Sequence, residues 1–515
     1  MYPGKHVALN PGRPALVMAS TGETVTYREY ESRCNKLAHL LRDAGLLEGD
    51  HYAIFMENNS RYIEACGAGE RAGLYYTPIN SYLKAEELAY IINNCDAKVL
   101  ITSAKKLDVV HEALGGCPNI ELILVVNAAR LSQVTDYDAA IADFPDTPIG
   151  DESLGSAMLY SSGTTGRPKG ILRPLTGTRP GENPPLCEIY AQLFKFREDM
   201  VYLSPAPLYH AAPQASVNAS IRHGGTVVIM ERFDPEQYLQ LVEKYQVTHS
   251  QLVPTMFSRM LKLPDEVRNT YDVSSLESAA HAAAPCPIPV KEQMIEWWGP
   301  VIYEYYSSSE GLGLAYCTSD EWLQHKGTVG RIVAGKLHVL DPNHDPVPSG
   351  CSGELWFERA SDFEYYQDEQ RTRDASSSDG SLSTVGDIGY MDEDGYLYLT
   401  DRSTFMIISG GVNIYPQECE NLLITHPKVA DAAVFGVPNS DLGEEVKAVV
   451  QAMPGVHPDD ELAEELIDFC QRHLSIQKSP RSIDFEAELP RLPTGKLYKQ
   501  ELRERYWQNH KGRIV

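Results

Sequence analysis

No run of apolar residues in this 515-residue chain is long enough to span a bilayer, and the opening MYPGKHVALNPG lacks the apolar core of a secretory signal. Neither a membrane span nor export is expected. Cysteine is sparse and unorganised. Ten residues, with no CxxC pair and no paired histidine spacing, give neither a zinc site nor a disulfide framework. Buried free thiols in a reducing cytoplasm are the simplest reading. Basic residues are in deficit, 45 against 71 acidic ones, for a net charge of −26. That imbalance argues against nucleic acid and against an anionic membrane surface as partners. An anionic ligand would have to be met by locally gathered cations. Repeats of fixed period are absent, and nothing in the sequence specifies an oligomer.

The length fits about three domain-sized units, and 43% hydrophobic with 23% charged residues is ordinary for a globular chain. Residues 23–130 alternate strand and helix patterns. HYAIFM (51–56) and AKVLIT (97–102) read as buried strands, with helices near 60–72 and 85–94. The alternation resumes at TVVIM (226–230), and it predicts parallel sheets covered by helices. From about 325 the texture changes to short glycine-punctuated strands, GTVGRIV, KLHVLD, GELWFE and GYLYLT, which predicts a small β-rich subdomain. A compact α+β segment follows, and the spacing places a domain boundary at 402/403: residues 1–402 form the first domain and 403–515 the second. PLTGTRPGENPPL (174–186) reads as a loop, either a surface insertion or a lid using Arg173 and Arg179.

The run YSSGTTGRPKG (160–170) lies between two apolar steps. Gly163, Gly166 and Gly170 can take backbone conformations closed to other residues. Ser161, Ser162, Thr164 and Thr165 add hydroxyls, and Arg167 and Lys169 add positive charge, so the loop suits a polyphosphate. The Gly-Lys-Ser/Thr spacing of the NTPase phosphate loop is not met, because Lys169 is followed by Gly170. Read alone, such a run is also a common solvated loop.

Together with five further blocks in order, this run resembles the phosphate loop of the adenylate-forming superfamily: acyl-CoA synthetases, peptide-synthetase adenylation domains and luciferases. The resemblance covers nearly the whole chain. It implies a large N-terminal domain of α/β subdomains plus a small β-barrel-like subdomain, and a mobile small α+β C-terminal domain. It implies an ATP-dependent ligase that activates a carboxylic acid as acyl-AMP and passes it to coenzyme A, with Mg²⁺ on the phosphates and a place in fatty-acid metabolism. The phosphate grip falls to Ser161, Ser162, Gly163, Thr164, Thr165, Gly166 and Lys169. In YEYYSSSEG (303–311), Tyr306 would stack on adenine, Ser309 would meet phosphate, and Glu310 with Thr165 would hold Mg²⁺. Ser307 replaces a family glycine, which would narrow the acyl pocket and add a donor. Ala282, Ala283 and Ala284 in HAAAPCP would wall the adenine and acyl pockets, and Tyr209 and His210 would separate the acyl pocket from the CoA tunnel. Asp387 would accept from both ribose hydroxyls, reinforced by Arg402. Thr404 stands at the family's hinge position. Gly410 and Gly411 would line the pantetheine tunnel, and LPRLPTGKLYK (489–499) would project Lys496 at the α-phosphate.

The small, mostly apolar residues of the implied acyl pocket fit a medium-chain, branched, aryl or alicyclic acid. Alternatives stay open: an adenylation enzyme with another acceptor, a luciferase-like oxygenase, or a non-catalytic homologue that keeps the fold. Lys496 gives the sharpest test of the implied two-step scheme. Lys496→Ala is expected to abolish carboxylate-dependent pyrophosphate release, at a cost of several kcal/mol in the transition state. Thioester formation from supplied acyl-AMP should survive. Equal loss of both half-reactions would overturn the scheme.

Overall fold

The computed structural model describes residues 1–128, 134–161, 168–358, 363–402, 405–409, 412–439, 442–491 and 497–507, with the backbone alone at 401, 402 and 413. They form two compact units. One is drawn from Met1–Leu252, Leu263–Ala280 and Ser361–Asp374, the other from Val253–Lys262, His281–Ala360 and Ala375–Val515.

In the first unit the strands His51–Phe55, Tyr75–Pro78 and Val99–Ser103 are buried at every residue, as parallel strands covered on both faces must be. They pair in parallel, with Tyr52 opposite Tyr76 and Val99. The six-stranded sheet is completed by Leu122–Val126 and Thr135–Asp136 on one side and Ser156–Ala157 on the other. Helices Ser60–Arg71 and Ala85–Asn94 lie where the sequence alternation predicts them. A second parallel set comprises His249–Leu252, Val201–Ser204, Thr226–Ile229 and Pro14–Met18, with Thr24–Thr26 added antiparallel. The Pro/Gly-rich segment is a loop only as far as Pro184. Pro185 then opens the helix Pro185–Phe194, because proline's missing N–H is not needed in a first turn. A short hairpin pairs Leu159–Ser161 with Lys169–Leu172, placing Ser161 opposite Lys169.

In the second unit the glycine-punctuated segments form an antiparallel run. Its order is Leu337–Leu340, Gly353–Glu358, Leu382–Met391, Tyr396–Arg402, Gly330–Ala334, Leu314–Cys317 and Ile302–Ser307. Leu382–Met391 and Ile302–Ser307 stand four strand steps apart, which would separate them by about 19 Å across a flat sheet. Yet the Tyr306 hydroxyl donates to Asp387 Oδ2 at 2.7 Å. A second crossing agrees: a β-carbon on Gly313 would overlap the Phe357 ring, again four steps away. The sheet therefore curls on itself, and the β-barrel-like subdomain has its physical basis there. Register shifts at Leu314/Ala315, Glu354/Trp356 and Ile388/Gly389 supply the bends.

Residues 407–485 build a separate sheet around the long hairpin of Val429–Asn439 and Gly443–Ala452. Ile407–Ser409 and Val412–Ile414 extend one side of this sheet, and Ser482–Phe485 pairs in parallel with Gly443–Ala452. Helices Pro416–Ile424 and Asp460–His473 bury Leu423, Leu462 and Leu466 against Val434, Ala448 and Val450. The fold is mixed α/β, a large N-terminal domain with a smaller C-terminal one. Each of the ten cysteines is free. Among the described residues, no helix is long and apolar enough to cross a membrane.

One helix tests how tightly the first unit is packed. Gly69 in Ser60–Arg71 faces the buried Tyr52 hydroxyl, which donates to the Ala65 carbonyl, and a β-carbon there would lie 2.8 Å from Tyr76 Cδ1. Gly69→Ala would gain about 1 kcal/mol of helix propensity. Overpacking costs about 1–3 kcal/mol and should win. The expected result is a lower denaturant midpoint with an unchanged slope. A raised midpoint would show that the tyrosines can shift.

Candidate active site

The curled sheet gathers several of the expected residues. Tyr306 is the penultimate residue of the strand Ile302–Ser307, and its hydroxyl is held by Asp387, which is 8% exposed. Backbone pairing sets Asp387 directly opposite Arg402, whose side chain lies outside the description. Gly386, at φ +78°, lies at the irregularity in the strand just before Asp387, and its N–H is fixed by the Thr384 hydroxyl at 3.0 Å. Thr384 in turn donates to Glu354 Oε1 at 3.1 Å. A carboxylate, a phenol and an arginine backbone position thus converge at one seam.

The turn after Tyr306 carries Ser309, half-buried, and Glu310, buried at 7% exposure. It closes through the Gly311 N–H to the Ser308 carbonyl, with Gly311 at φ +75°. The Ser307 hydroxyl donates to the Gly313 carbonyl at 2.7 Å, across the mouth of this turn. The donor expected to face a pocket is thus committed to pinning the turn that bears Ser309 and Glu310. Glu310 offers one hard oxygen ligand, and Mg²⁺ keeps waters and phosphate oxygens in most of its positions, so one protein carboxylate suits it. The group His325, Asp392 and Asp394 is of a different kind. Asp392 already accepts from the Asp394 and Tyr396 N–H groups and the Tyr398 hydroxyl, and His325 stacks on Tyr396.

Ala282 is buried, Ala284 half-buried, and Ala283 exposed at φ +74°, a left-handed conformation that is uncommon for a residue with a side chain. Beneath this loop lies a group that sequence reasoning missed. Lys291 Nζ is 2.5 Å from Glu304 Oε2, His281 Nε2 is 3.6 Å from the same oxygen, and all three residues are buried. Burial raises the Glu304 pKa while Lys291 opposes the rise, and burial followed by the Lys291 charge holds His281 well below its ordinary value. The legible signal was a lysine among the apolar positions Val290, Met294, Ile295 and Trp298 of the helix Ile288–Trp298.

In the first unit, Ser161 and Lys169 face each other across the hairpin, and Lys169 Nζ lies 4.4 Å from the centroid of the Tyr365 ring. Tyr209 and His210 are in ring contact, centroids 4.3 Å apart, just ahead of the helix Ala211–Arg222. The Tyr209 hydroxyl is buried without a partner among the described residues. Ser162, Gly163, Thr164, Thr165, Gly166, Thr404, Gly410, Gly411 and Lys496 lie outside the described residues.

The profile of the family described as AMP-binding enzyme matches residues 4–366, and that of the AMP-binding enzyme C-terminal domain matches residues 418–496. A feruloyl-CoA synthase from an Amycolatopsis species is 31% identical over 509 residues, covering 98% of both chains. A 2-succinylbenzoate–CoA ligase from Bacillus licheniformis is 30% identical over 497 residues, covering 96% of this chain and 97% of its own. Among solved structures, an amide bond synthetase from Marinactinospora thermotolerans superposes with a TM-score of 0.81 at 26% identity, covering 98% of this chain and 99% of that one.

The role given to Ser307 by its hydrogen bond is directly testable. One exposed hydrogen bond is worth about 1 kcal/mol, so Ser307→Ala should quicken amide exchange over residues 308–313 by about fivefold. Exchange elsewhere should be unchanged. An unaltered turn would show that the hydroxyl pins nothing.

Proposed function

The chain belongs to the AMP-binding enzyme family, and within it we propose an acyl-CoA ligase acting on a small carboxylic acid. The acid's oxygen attacks the α-phosphorus of ATP, pyrophosphate leaves, and the acyl-AMP is then cleaved by the CoA thiol to give thioester and AMP. The observation that carries this reading is the seam where Tyr306, Asp387 and the Arg402 position meet. It offers an aromatic face for adenine beside acceptor oxygens for vicinal ribose hydroxyls. The Tyr306 hydroxyl fixes the orientation of the Asp387 carboxylate, so that carboxylate is aimed before ligand arrives.

Glu310 would hold the Mg²⁺ carried by the triphosphate, together with Thr165, and that ion supplies neutralisation of the phosphate charge. Ser309, Ser161, Lys169 and the intervening 162–166 run would grip the phosphates. In a chain of net charge −26, Lys169 and Lys496 are the local cations that an anionic substrate needs. Residues 403–515 form the mobile domain in this reading. It delivers Lys496 for adenylation and the Gly410–Gly411 turn for thioester formation, with Thr404 at the hinge. Tyr209 and His210 would stand between acyl pocket and CoA tunnel. Two relatives named for feruloyl-CoA and 2-succinylbenzoate–CoA chemistry put aryl acids first among the substrates. The likeness to an amide bond synthetase supports an amine acceptor as the second reading.

The test is pyrophosphate release over a panel of hydroxycinnamic, benzoic, alicyclic and medium-chain acids, followed by product analysis with CoA or with simple amines. The expected outcome is acid-dependent release on an aryl acid and thioester only when CoA is present. Amide formed in preference to thioester would move the acceptor assignment, and no release with any acid would overturn the ligase reading.

A further inference from the structure

The buried group beneath the 282–287 loop does something that its neighbours in the site do not. His281 is the last residue of the strand Ser278–His281 and immediately precedes Ala282. Lys291 is in the first turns of the helix Ile288–Trp298, immediately after the loop. Both approach a single carboxylate oxygen, Glu304 Oε2, at 3.6 and 2.5 Å. Glu304 lies two residues before Tyr306 on the strand Ile302–Ser307, and strand alternation puts the two side chains on one face.

The surroundings leave this group little freedom. His281 and Lys291 are 0% exposed and Glu304 is 4% exposed. Lys291 Nζ lies 4.8 Å from the centroid of the buried Trp322 ring, and the His281 ring meets Phe257 edge-on at 5.3 Å. Neither His281 nitrogen has a hydrogen-bond partner among the described residues, and the charged groups beside it are Glu304 and Lys291. A buried ion pair is a poor device for stability alone, since an apolar pair of the same volume usually serves as well. Ala283 supplies a reason for this one. A non-glycine residue at φ +74° persists only where its surroundings over-determine it.

We propose that Glu304 is a positioning residue: through its ion pair with Lys291 it ties down the far end of the 282–287 loop, with His281 packed beside that pair at the near end, and so holds Ala283 in its left-handed conformation and sets that loop against the strand that carries Tyr306. That the loop walls the nucleotide pocket rests on the ligase reading above. The clamp itself does not.

Two readouts separate the two ideas. Cys286 lies within the loop, and its thiol pKa is pushed up by burial and by the Glu304 charge, so its rate of maleimide labelling, resolved by peptide mass spectrometry and corrected for thiolate fraction from its pH dependence, reports the loop's pose without any ligand. ATP binding measured by calorimetry reports the pocket. Relaxation of one strained residue is worth about tenfold in an equilibrium. In folded Glu304→Gln protein, Cys286 should therefore label about tenfold faster and ATP should bind about tenfold more weakly. Adding Ala283→Gly, which removes the conformational penalty, should return both values most of the way. If Glu304→Gln does not fold, Lys291→Met/Glu304→Gln, which buries no lone charge, replaces it with the same expectations. Faster labelling with unchanged ATP affinity supports the clamp and overturns the nucleotide reading of the loop. Unchanged labelling in a folded variant, or no recovery with Ala283→Gly, overturns the clamp.

Discussion

The hydrogen bond from Tyr306 to Asp387 is the contact on which the second unit turns. It joins strands that hydrogen-bonding order sets four steps apart, so it exists only because the sheet curls, and it marks where the curl closes. The glycines and bulges of that sheet have their purpose here. Gly313 makes room for Phe357, and the shift at Ile388/Gly389 bends the strand just past Asp387. Local irregularities that weaken a flat ladder are what bring a phenol and a carboxylate into contact.

Around that seam, charge is handled in two ways. Groups proposed to meet ligand stand beside left-handed glycines that aim them: Glu310 just before Gly311, and Asp387 just after Gly386. Groups that meet only protein are sunk completely. Glu304 and Lys291 neutralise each other out of water, and Trp322 covers the ammonium. The buried groups hold one another instead of water.

Much of the frame was legible in the sequence because it follows periodicity. The apolar alternation located helices Ser60–Arg71 and Ala85–Asn94 and the strand His51–Phe55 almost to the residue. The glycine spacing foretold short antiparallel strands, yet nothing local encodes which of them meet after four steps, so the Tyr306–Asp387 bond was not deducible. Ser307 was read as a pocket donor because its position was compared with glycine. Its hydroxyl goes instead to Gly313, a partner six residues on that only the turn's path reveals. Glu304 sits in IYEYYS and Lys291 in IPVKEQMIEWW, and each looks like an ordinary surface charge until its burial is known. Long-range pairing of buried charges leaves no periodic trace.

Closure of the sheet at one seam would also make its folding and the binding of a ligand proposed to sit there a single thermodynamic event. A molecule gripped by Tyr306 and Asp387 together finds its site only while the curl is shut, since opening the sheet parts the two side chains. Free ligand at concentration L would then stabilise the closed form by RT ln(1 + L/Kd), and that gain would be shared by every strand between Leu382–Met391 and Ile302–Ser307. The seam thus couples occupancy of a few atoms to the cooperative stability of the whole curled sheet, with no moving part required.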